Sequence, residues 1–412
     1  MDADDIDLLD RDRFTEGIPH GWFTWLRAHA PVFHHDEPGG PGFWVVSRYA
    51  DVVTANRDAR SFSSDHSRGG VVDLEGPSAP PPGTDMAGNM MLFMDPPNHT
   101  RYRKLVNRGF TPRTIAALEV HVRELAAGIV DRAVAAGTCD FVVDIAAELP
   151  LEVIAELLGV PREDRHKIFD WSNRMIGSED PEYAVSAEHL MEAQIEMFAY
   201  AQQLAEQRRA EPRNDIVSTL LAAEIDGDTL SDLDFNLFFL LLAVAGNETT
   251  RNAIAQGVNA FLENPDQWDR LVADPAAHVA GATEEVLRWA SPVMYFRRNA
   301  TCDVELGGQL IRAGDKISLW YVSANRDEAV FADPFRFDIG RDPNPHIAFG
   351  GGGPHFCLGA QLARLEIRVL LEELVRRAPR IAAVGAPDRL RSNFIGGIKH
   401  LPVRLDPAPV GV

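Results

Sequence analysis

Apolar residues recur at helical spacing through much of the chain. Ile115, Leu118, Val122, Leu125 and Ile129 share one face of a 3.6-residue repeat, and apolar positions at the same period run through residues 153–158. Residues 21–29 read as a short helix, flanked by strand-like pieces at 31–33 and 43–47. Ser231-x-x-Asp234 has the form of a capping box. The helix it opens can run to Glu263 before Pro265 ends it, roughly 32 residues and about 48 Å. That is long enough to cross a whole domain. Strand signals return at 303–306 and 316–321, with Gly307-Gly308 and Ala313-Gly314 as turns between them. A last amphipathic helix sets Leu358, Leu362, Leu365 and Val369 on one side. The pattern predicts a mainly α chain with a minor β region, packed as a single large domain over residues 1–412.

Composition narrows the class. A length of 412 residues allows two or three domains, but no linker divides the chain. The one low-complexity patch, residues 76–83 with four prolines, reads as a loop. Hydrophobic residues make up 45%, enough for a large core. Lys+Arg 40 against Asp+Glu 61 gives −21, which argues against binding nucleic acid or an anionic membrane. Residues 1–9 are acidic and contain no apolar leader or membrane span, so a cytoplasmic protein is expected. Cys139, Cys302 and Cys357 are far apart and form no CxxC pair, which disfavours disulfide frameworks and zinc sites. Cys139 and Cys302 read as packing or surface thiols.

Two runs carry candidate chemistry. The first is Phe349-Gly350-Gly351-Gly352-Gly353-Pro354-His355-Phe356-Cys357-Leu358-Gly359. Four glycines and a proline let the backbone turn tightly and approach a flat ligand. The helix that follows Cys357 offers its dipole and unpaired N–H groups, both of which favour a thiolate. A thiolate on such a loop is a means of gripping haem iron, whereas the alternative is a glycine turn with a buried structural cysteine. The second run, Ala245-Gly246-Asn247-Glu248-Thr249-Thr250, lies inside the long helix. Gly246 removes bulk where another body approaches, and threonine hydroxyls compete for carbonyls and can open a bulge. A carboxylic acid beside a hydroxyl supplies a proton donor and a relay. The alternative here is a solvated helix face with an accidental glycine.

Both runs resemble the cytochrome P450 superfamily, the first its haem-binding loop and the second its oxygen-activation motif. Phe349 stands eight residues before Cys357 rather than seven, a variant similar to an actinobacterial subset acting on steroids and branched lipids. The resemblance implies the cytochrome P450 fold and haem b, with Cys357 as iron ligand and Phe349 and Gly359 in its loop. It gives Thr249 the stabilisation of iron-bound oxygen, Glu248 the gating of protons and Gly246 the room for oxygen. Asp95-Pro96-Pro97-Asn98-His99-Thr100-Arg101-Tyr102-Arg103 resembles the family's helix that donates a histidine and an arginine four apart. His99, Arg103, Arg298 and His355 would therefore hold the haem propionates. Glu285-Val286-Leu287-Arg288 places opposite charges on one helix face, and with Arg336 of Pro334-Phe335-Arg336-Phe337-Asp338 it resembles the family's buried ion network.

The implied activity is hydroxylation of a lipophilic small molecule, a steroid, terpenoid or branched lipid, with O₂ as oxidant. No flavin or nicotinamide fingerprint occurs, so electrons are expected from a ferredoxin and its reductase, which Arg103, Arg108 and Arg364 could greet. A monomer is expected. Tailoring of a macrolide or polyketide, a peroxide-driven haem-thiolate enzyme and a non-enzymatic haem binder are the competing readings. Candidate pocket residues are Met91 and Phe93 before the propionate helix, Val244 and Ala245 on the long helix, Val293, Met294 and Phe296 after Pro292, and Phe394. Residues 69–88 would form the entrance, with 175–183 opposite.

Overall fold

The Asp232–Glu263 helix is the axis of the fold. Ser231 Oγ accepts from the Asp234 N–H at 3.1 Å, and Asp234 Oδ2 accepts from the Ser231 N–H at 3.2 Å. This reciprocal cap starts the helix at the expected residue. Every residue from 250 to 261 is buried, the condition of a helix enclosed on all sides. The computed structural model describes residues 2–76, 90–176, 180–183, 186–213, 215–225 and 228–408.

The helices that build and support the site are, in chain order, α1 (Tyr49–Arg57), α2 (Asn98–Val106), α3 (Pro112–Ala136), α4 (Glu148–Leu157), α5 (Arg165–Ile176), α6 (Ala187–Ala210), α7 (Asp232–Glu263), α8 (Pro275–Ala290) and α9 (Ala360–Arg377). The axial helix α7 packs against α4, α5, α6, α8 and α9. Thr111 caps α3 through the Thr114 N–H, and Pro112 occupies the first turn, where its missing N–H costs nothing. Ile115, Val122 and Ile129 of α3 are buried, and Leu118 and Leu125 pack on the same core. The expected apolar side of α9 is also observed: Leu362, Leu365 and Val369 are buried there.

The minor β region is a five-stranded sheet ordered β1-β2-β5-β4-β3, from β1 (Val32–His35), β2 (Phe43–Val46), β3 (Phe62–Ser63), β4 (Tyr295–Ala300) and β5 (Lys316–Trp320). β2 and β5 run parallel; the other pairs are antiparallel. Strand alternation sends Val46, Ile317 and Leu319 into one apolar cluster and Phe43, Val45 and Trp320 into another, so both faces are covered. β4 and β5 also pin the start of the expected entrance. Asn299 Nδ2 donates to Gly70 O at 2.9 Å, the Arg297 N–H to Val71 O at 2.8 Å and Lys316 Nζ to Leu74 O at 2.6 Å. The remainder of that entrance, residues 77–88, and residues 177–179 opposite it lie outside the described residues. Among the described residues no helix is long and apolar enough to cross a membrane.

Candidate active site

The glycine loop folds as its sequence demands. Gly350, Gly351, Gly352 and Gly353 have φ of 99°, 64°, 103° and 82°, a run that L side chains do not sustain. A Cβ added at Gly353 would lie 2.3 Å from Asn56 O of α1. The loop closes on itself where the Cys357 N–H donates to Phe349 O at 3.0 Å. The Phe349 ring lies 4.6 Å below the Arg364 guanidinium and 6.4 Å from Phe356. Cys357 stands three residues before α9, and its side chain is accessible. The surrounding protein nonetheless pushes its thiol up, against the pull of the Gly359 N–H, Arg103 and Arg364. The thiolate expected from the helix terminus alone is thus outweighed by desolvation, and a bound metal ion is what would remove the proton.

Around the loop, His99, Arg103, Arg298 and His355 converge. The His99 and His355 rings are 4.2 Å apart. Arg298 is buried and donates to two neutral acceptors, Arg297 O at 2.7 Å and Asn56 Oδ1 at 3.1 Å. Arg103 Nε donates to Asn107 Oδ1 at 3.1 Å. His99 Nδ1 and His355 Nε2 are buried without any hydrogen-bond partner. Burial, then Arg103 and Arg298, push His99 down to about 4, and burial pushes His355 well down. Among the described residues no carboxylate hydrogen-bonds to any of the four. Buried cations and orphaned donors cost several kcal/mol unless an anion joins them. Gly359 adds a second sign: its φ is −82° and an added Cβ would meet nothing within 4 Å, so protein packing does not explain the glycine. A planar ligand with acidic arms fits this set, as haem b with its two propionates does.

On α7 the oxygen-activation run splits between two faces. Ala245 is exposed and Val244 and Thr249 are partly exposed in the middle of an enclosed helix. Thr249 Oγ1 donates to Ala245 O at 2.9 Å, and the helix continues unbroken through it, so the expected bulge is absent from this structure. Gly246 does not open toward that face. A Cβ there would lie 2.8 Å from Ile154 Cγ1, so the glycine lets α4 approach α7, a packing role where room for oxygen was expected. Glu248 is fully buried and accepts from Arg251, whose Nη1 donates to Asn173 Oδ1 of α5 at 2.7 Å. Burial pushes the Glu248 carboxyl up, and the Arg251 guanidinium opposes it.

The ion network behind the loop differs from expectation in one member. Arg288 donates twice to Glu285, at 2.7 Å each, and both side chains have no exposed surface. Its other bonds reach Asn325 O, Pro334 O and Arg336 O. Arg336 contributes only that backbone carbonyl, and its side chain is exposed. The second guanidinium on Glu285 is Arg341, at 3.2 and 3.3 Å. The chain turns through Asp333–Arg336, where the Arg336 N–H donates to Asp333 O at 2.9 Å, leaving Phe335 and Arg336 exposed and burying Phe337.

Among the expected pocket residues, Val244, Ala245, Val293, Phe296, Phe394 and Phe93 retain accessible surface, and the Phe296 and Phe394 rings lie 5.7 Å apart. Val293 bridges to Ile395. Met91 is buried in the helical core. Met294 has no exposed surface and packs with Phe14, Phe23 and Trp320 on the far side of the sheet, so it is core and not pocket. Sequence reasoning passed over Arg251, Asn173, Arg341 and Asn56. Arg251 was signalled by its i+3 spacing from Glu248, but Asn56 and Asn173 meet the site only through tertiary packing. One further group, Glu182, Asp388 and His400, has metal-ligand geometry, but Lys399 Nζ already lies 3.0 Å from Glu182 and 3.5 Å from Asp388.

Comparison with known proteins fits this geometry. The family model for cytochrome P450 matches residues 77–378. A steroid C26-monooxygenase of Mycolicibacterium smegmatis is 44% identical over 402 residues, covering 96% of this chain and 92% of that one. A methyl-branched lipid omega-hydroxylase of Mycobacterium tuberculosis is 44% identical over 410 residues, covering 97% and 94%. A Mycobacterium marinum cytochrome P450 solved with pseudoionone superimposes with a TM-score of 0.90 at 41% identity, covering 98% of this chain and 99% of that one. With the sulfur loop, the anion-seeking donors and the acid–alcohol pair in family order, the chain belongs to the cytochrome P450 family.

Proposed function

We propose that this cytochrome P450 monooxygenase hydroxylates a steroid or methyl-branched lipid. The substrate class is supported by the names of the relatives above and by the accessible apolar positions Val244, Ala245, Phe296 and Phe394. Haem b supplies oxygen activation when bound, and a thiolate ligand favours O–O cleavage. Cys357 would hold it, in a loop fixed by the Phe349 carbonyl and kept open by Gly359. His99, Arg103, Arg298 and His355 would neutralise the propionates, while Glu285, Arg288 and Arg341 fix the chain behind the loop. The apolar wall excludes water from the reacting carbon, and Phe93 and Val293 extend it. The Thr249 hydroxyl orients oxygen and passes protons, and Glu248 replenishes them.

Electrons arrive singly from a ferredoxin served by its reductase. Arg103 and Arg364, whose charges act on Cys357, mark the side where an acidic donor docks. The protein acts as a cytoplasmic monomer, one domain over residues 1–412. The observation that carries the assignment is the donor set around Cys357, with His99 and Arg298 buried, His99 and His355 each holding an orphaned nitrogen, and no carboxylate hydrogen-bonded to any member among the described residues. Titration with cholestenone, a farnesyl compound and a small polar macrolide precursor tests the substrate class. A low-to-high spin shift with the first two is expected; a shift with the macrolide precursor alone overturns the lipid reading.

A further inference from the structure

Alternate side chains of β4 serve different ends. Phe296 and Arg298 fall on one side, where Phe296 meets Phe394 and Arg298 joins the donor set around Cys357. Tyr295, Arg297 and Asn299 fall on the other and meet residues 70–76, a segment that forms neither helix nor strand. Five successive carbonyls of that segment are taken up from the sheet. Gly70 O accepts from Asn299 Nδ2 at 2.9 Å, Val71 O from the Arg297 N–H at 2.8 Å and Val72 O from the Tyr295 hydroxyl at 2.9 Å. Asp73 O accepts from Arg297 Nη1 and Leu74 O from Lys316 Nζ, each at 2.6 Å. Lys316 also donates to Gly76 O at 3.0 Å and pairs with the buried Glu37. An irregular segment cannot satisfy its own backbone, and here the sheet does so carbonyl by carbonyl.

The Asn299 amide is held in one orientation. Arg297 Nε and Nη2 both donate to its Oδ1, at 2.9 and 2.7 Å, which leaves Nδ2 for Gly70 O. Both side chains are buried. Burial pushes the Arg297 guanidinium down only to about 10, so it stays charged at neutral pH and the fork persists. Gly70 in turn lies against Phe93 of the apolar wall. Its φ is 71°, and an added Cβ would stand 2.9 Å from Phe93 Cδ1. The His66 ring packs edge-on to Phe93 at 5.7 Å. Contact therefore runs from Arg297 through Asn299 and Gly70 to the Phe93 ring.

We propose that Asn299 and Arg297 are specificity-determining positioning residues, which act through Gly70 to fix Phe93 in the pocket wall and so favour a rigid fused-ring substrate over a flexible chain. The inference rests on the reading of the pocket as a lipid site with Phe93 in its wall. A rigid ligand makes full contact only against a wall already in place, because it cannot adjust to a ring that moves. A flexible chain adjusts, and spends its own conformational freedom to do so. Asn299 and Arg297 lie on the side of β4 away from Phe296, so their influence reaches the ligand only through the ring they hold.

The test is a double-mutant cycle in the holoenzyme, with the spin shift as the readout of affinity. Asn299→Asp keeps the oxygen that Arg297 holds and deletes the donor to Gly70. It should weaken cholestenone roughly three- to tenfold, the range for one neutral hydrogen bond, and a farnesyl compound by less than about twofold. In a Phe93→Ala background the same substitution should change cholestenone affinity by less than about twofold, since the ring it positions is gone. Arg297→Gln frees the amide to turn and should give the same pattern; Asn299→Asp carries the test if that variant does not fold. Equal losses for the two ligands, a loss that survives in Phe93→Ala, or wild-type affinity in Asn299→Asp overturns the inference and leaves the lipid reading standing. A loosened fold without positioning would weaken both ligands in both backgrounds. Hydrogen exchange of residues 90–94 is followed in the same proteins without ligand. A wild type that shifts with neither ligand removes the lipid reading; faster exchange in Asn299→Asp then still puts Phe93 under the control of Asn299, and unchanged exchange overturns that as well.

Discussion

Two clusters of buried charge lie close together in this protein and obey opposite rules. In the first, Glu285 is met by Arg288 twice, by Arg341, by the Asp338 N–H and by Asn344 Nδ2, so the carboxylate is satisfied from several directions. In the second, Arg298 and His99 are buried and His355 half-buried around the Cys357 loop, with no carboxylate among their hydrogen-bond partners in the described residues. A closed cluster has spent its electrostatics on the fold. An open one keeps its electrostatics for a ligand. The difference separates the residues that make the chain fold from those that make it bind, although both clusters hold buried, charged side chains that resemble one another in sequence.

Breaking the closed cluster should have the largest effect. Arg288→Ala strips the buried Glu285 of its two-bonded guanidinium partner and leaves it Arg341 and two neutral donors, a change that costs about 3–5 kcal/mol. Urea unfolding should show a midpoint well below wild type, and expression should yield protein without haem. Wild-type stability and full haem occupancy in this variant would mean the pair is dispensable.

The open cluster should show itself through pH. His99 in the haem-free protein is pushed from 6.5 down to about 4, so between those values the unfolded chain binds the proton that the folded chain refuses. Stability contributed here is present above pH 6.5 and is lost as pH falls toward 4, by up to roughly 3 kcal/mol. Propionates supply the missing negative charge, raise the proton affinity of His99 and shrink that loss. Unfolding measured across this window, with and without haem, should therefore diverge, and His99→Gln should bring the two curves together. Parallel curves in the wild type would separate His99 from the propionates.

How much of this was legible in sequence follows from how local each signal is. The capping box at Ser231 and Asp234, the stop at Pro265 and the four glycines before Cys357 act within a few residues, and each formed as expected. His99 and Arg103 share a face because α2 is a helix, which the four-residue spacing already implied. Gly246 was misassigned because the sequence shows a missing side chain but not the neighbour, Ile154, that requires it to be missing. Met294 failed for a related reason: beside Val293 and Phe296 it looked like pocket lining, but it precedes β4 and packs with Tyr295, Phe14, Phe23 and Trp320, neighbours that mostly lie far away in sequence. The partners Asn56 and Asn173 are remote in sequence from Arg298 and Arg251, so no spacing could announce them.

The smallest expected effect is the sharpest test of the boundary between the two clusters. The motif Pro334-Phe335-Arg336-Phe337-Asp338 nominates Arg336 as the third charge, and the structure replaces it with Arg341. Arg341 Nε reaches both Glu285 oxygens, while its other nitrogens donate to Ala332 O, Asp333 O and Arg336 O. The Arg341 side chain is mostly buried, so Arg341→Ala removes one charge and several backbone ties at once. Arg336→Ala keeps the carbonyl that Arg288 and Arg341 use and deletes only an exposed side chain. Its cost should stay within about 0.5 kcal/mol, the range for surface substitutions away from special features. Arg341→Ala should cost several times more and lower haem retention, since Arg288 alone would then balance Glu285. Equal losses in the two variants, read from urea midpoints and the haem-to-protein absorbance ratio, would return Arg336 to the network. A loss confined to Arg341 places the closed cluster on the three side chains Glu285, Arg288 and Arg341, with position 336 held there only by its backbone.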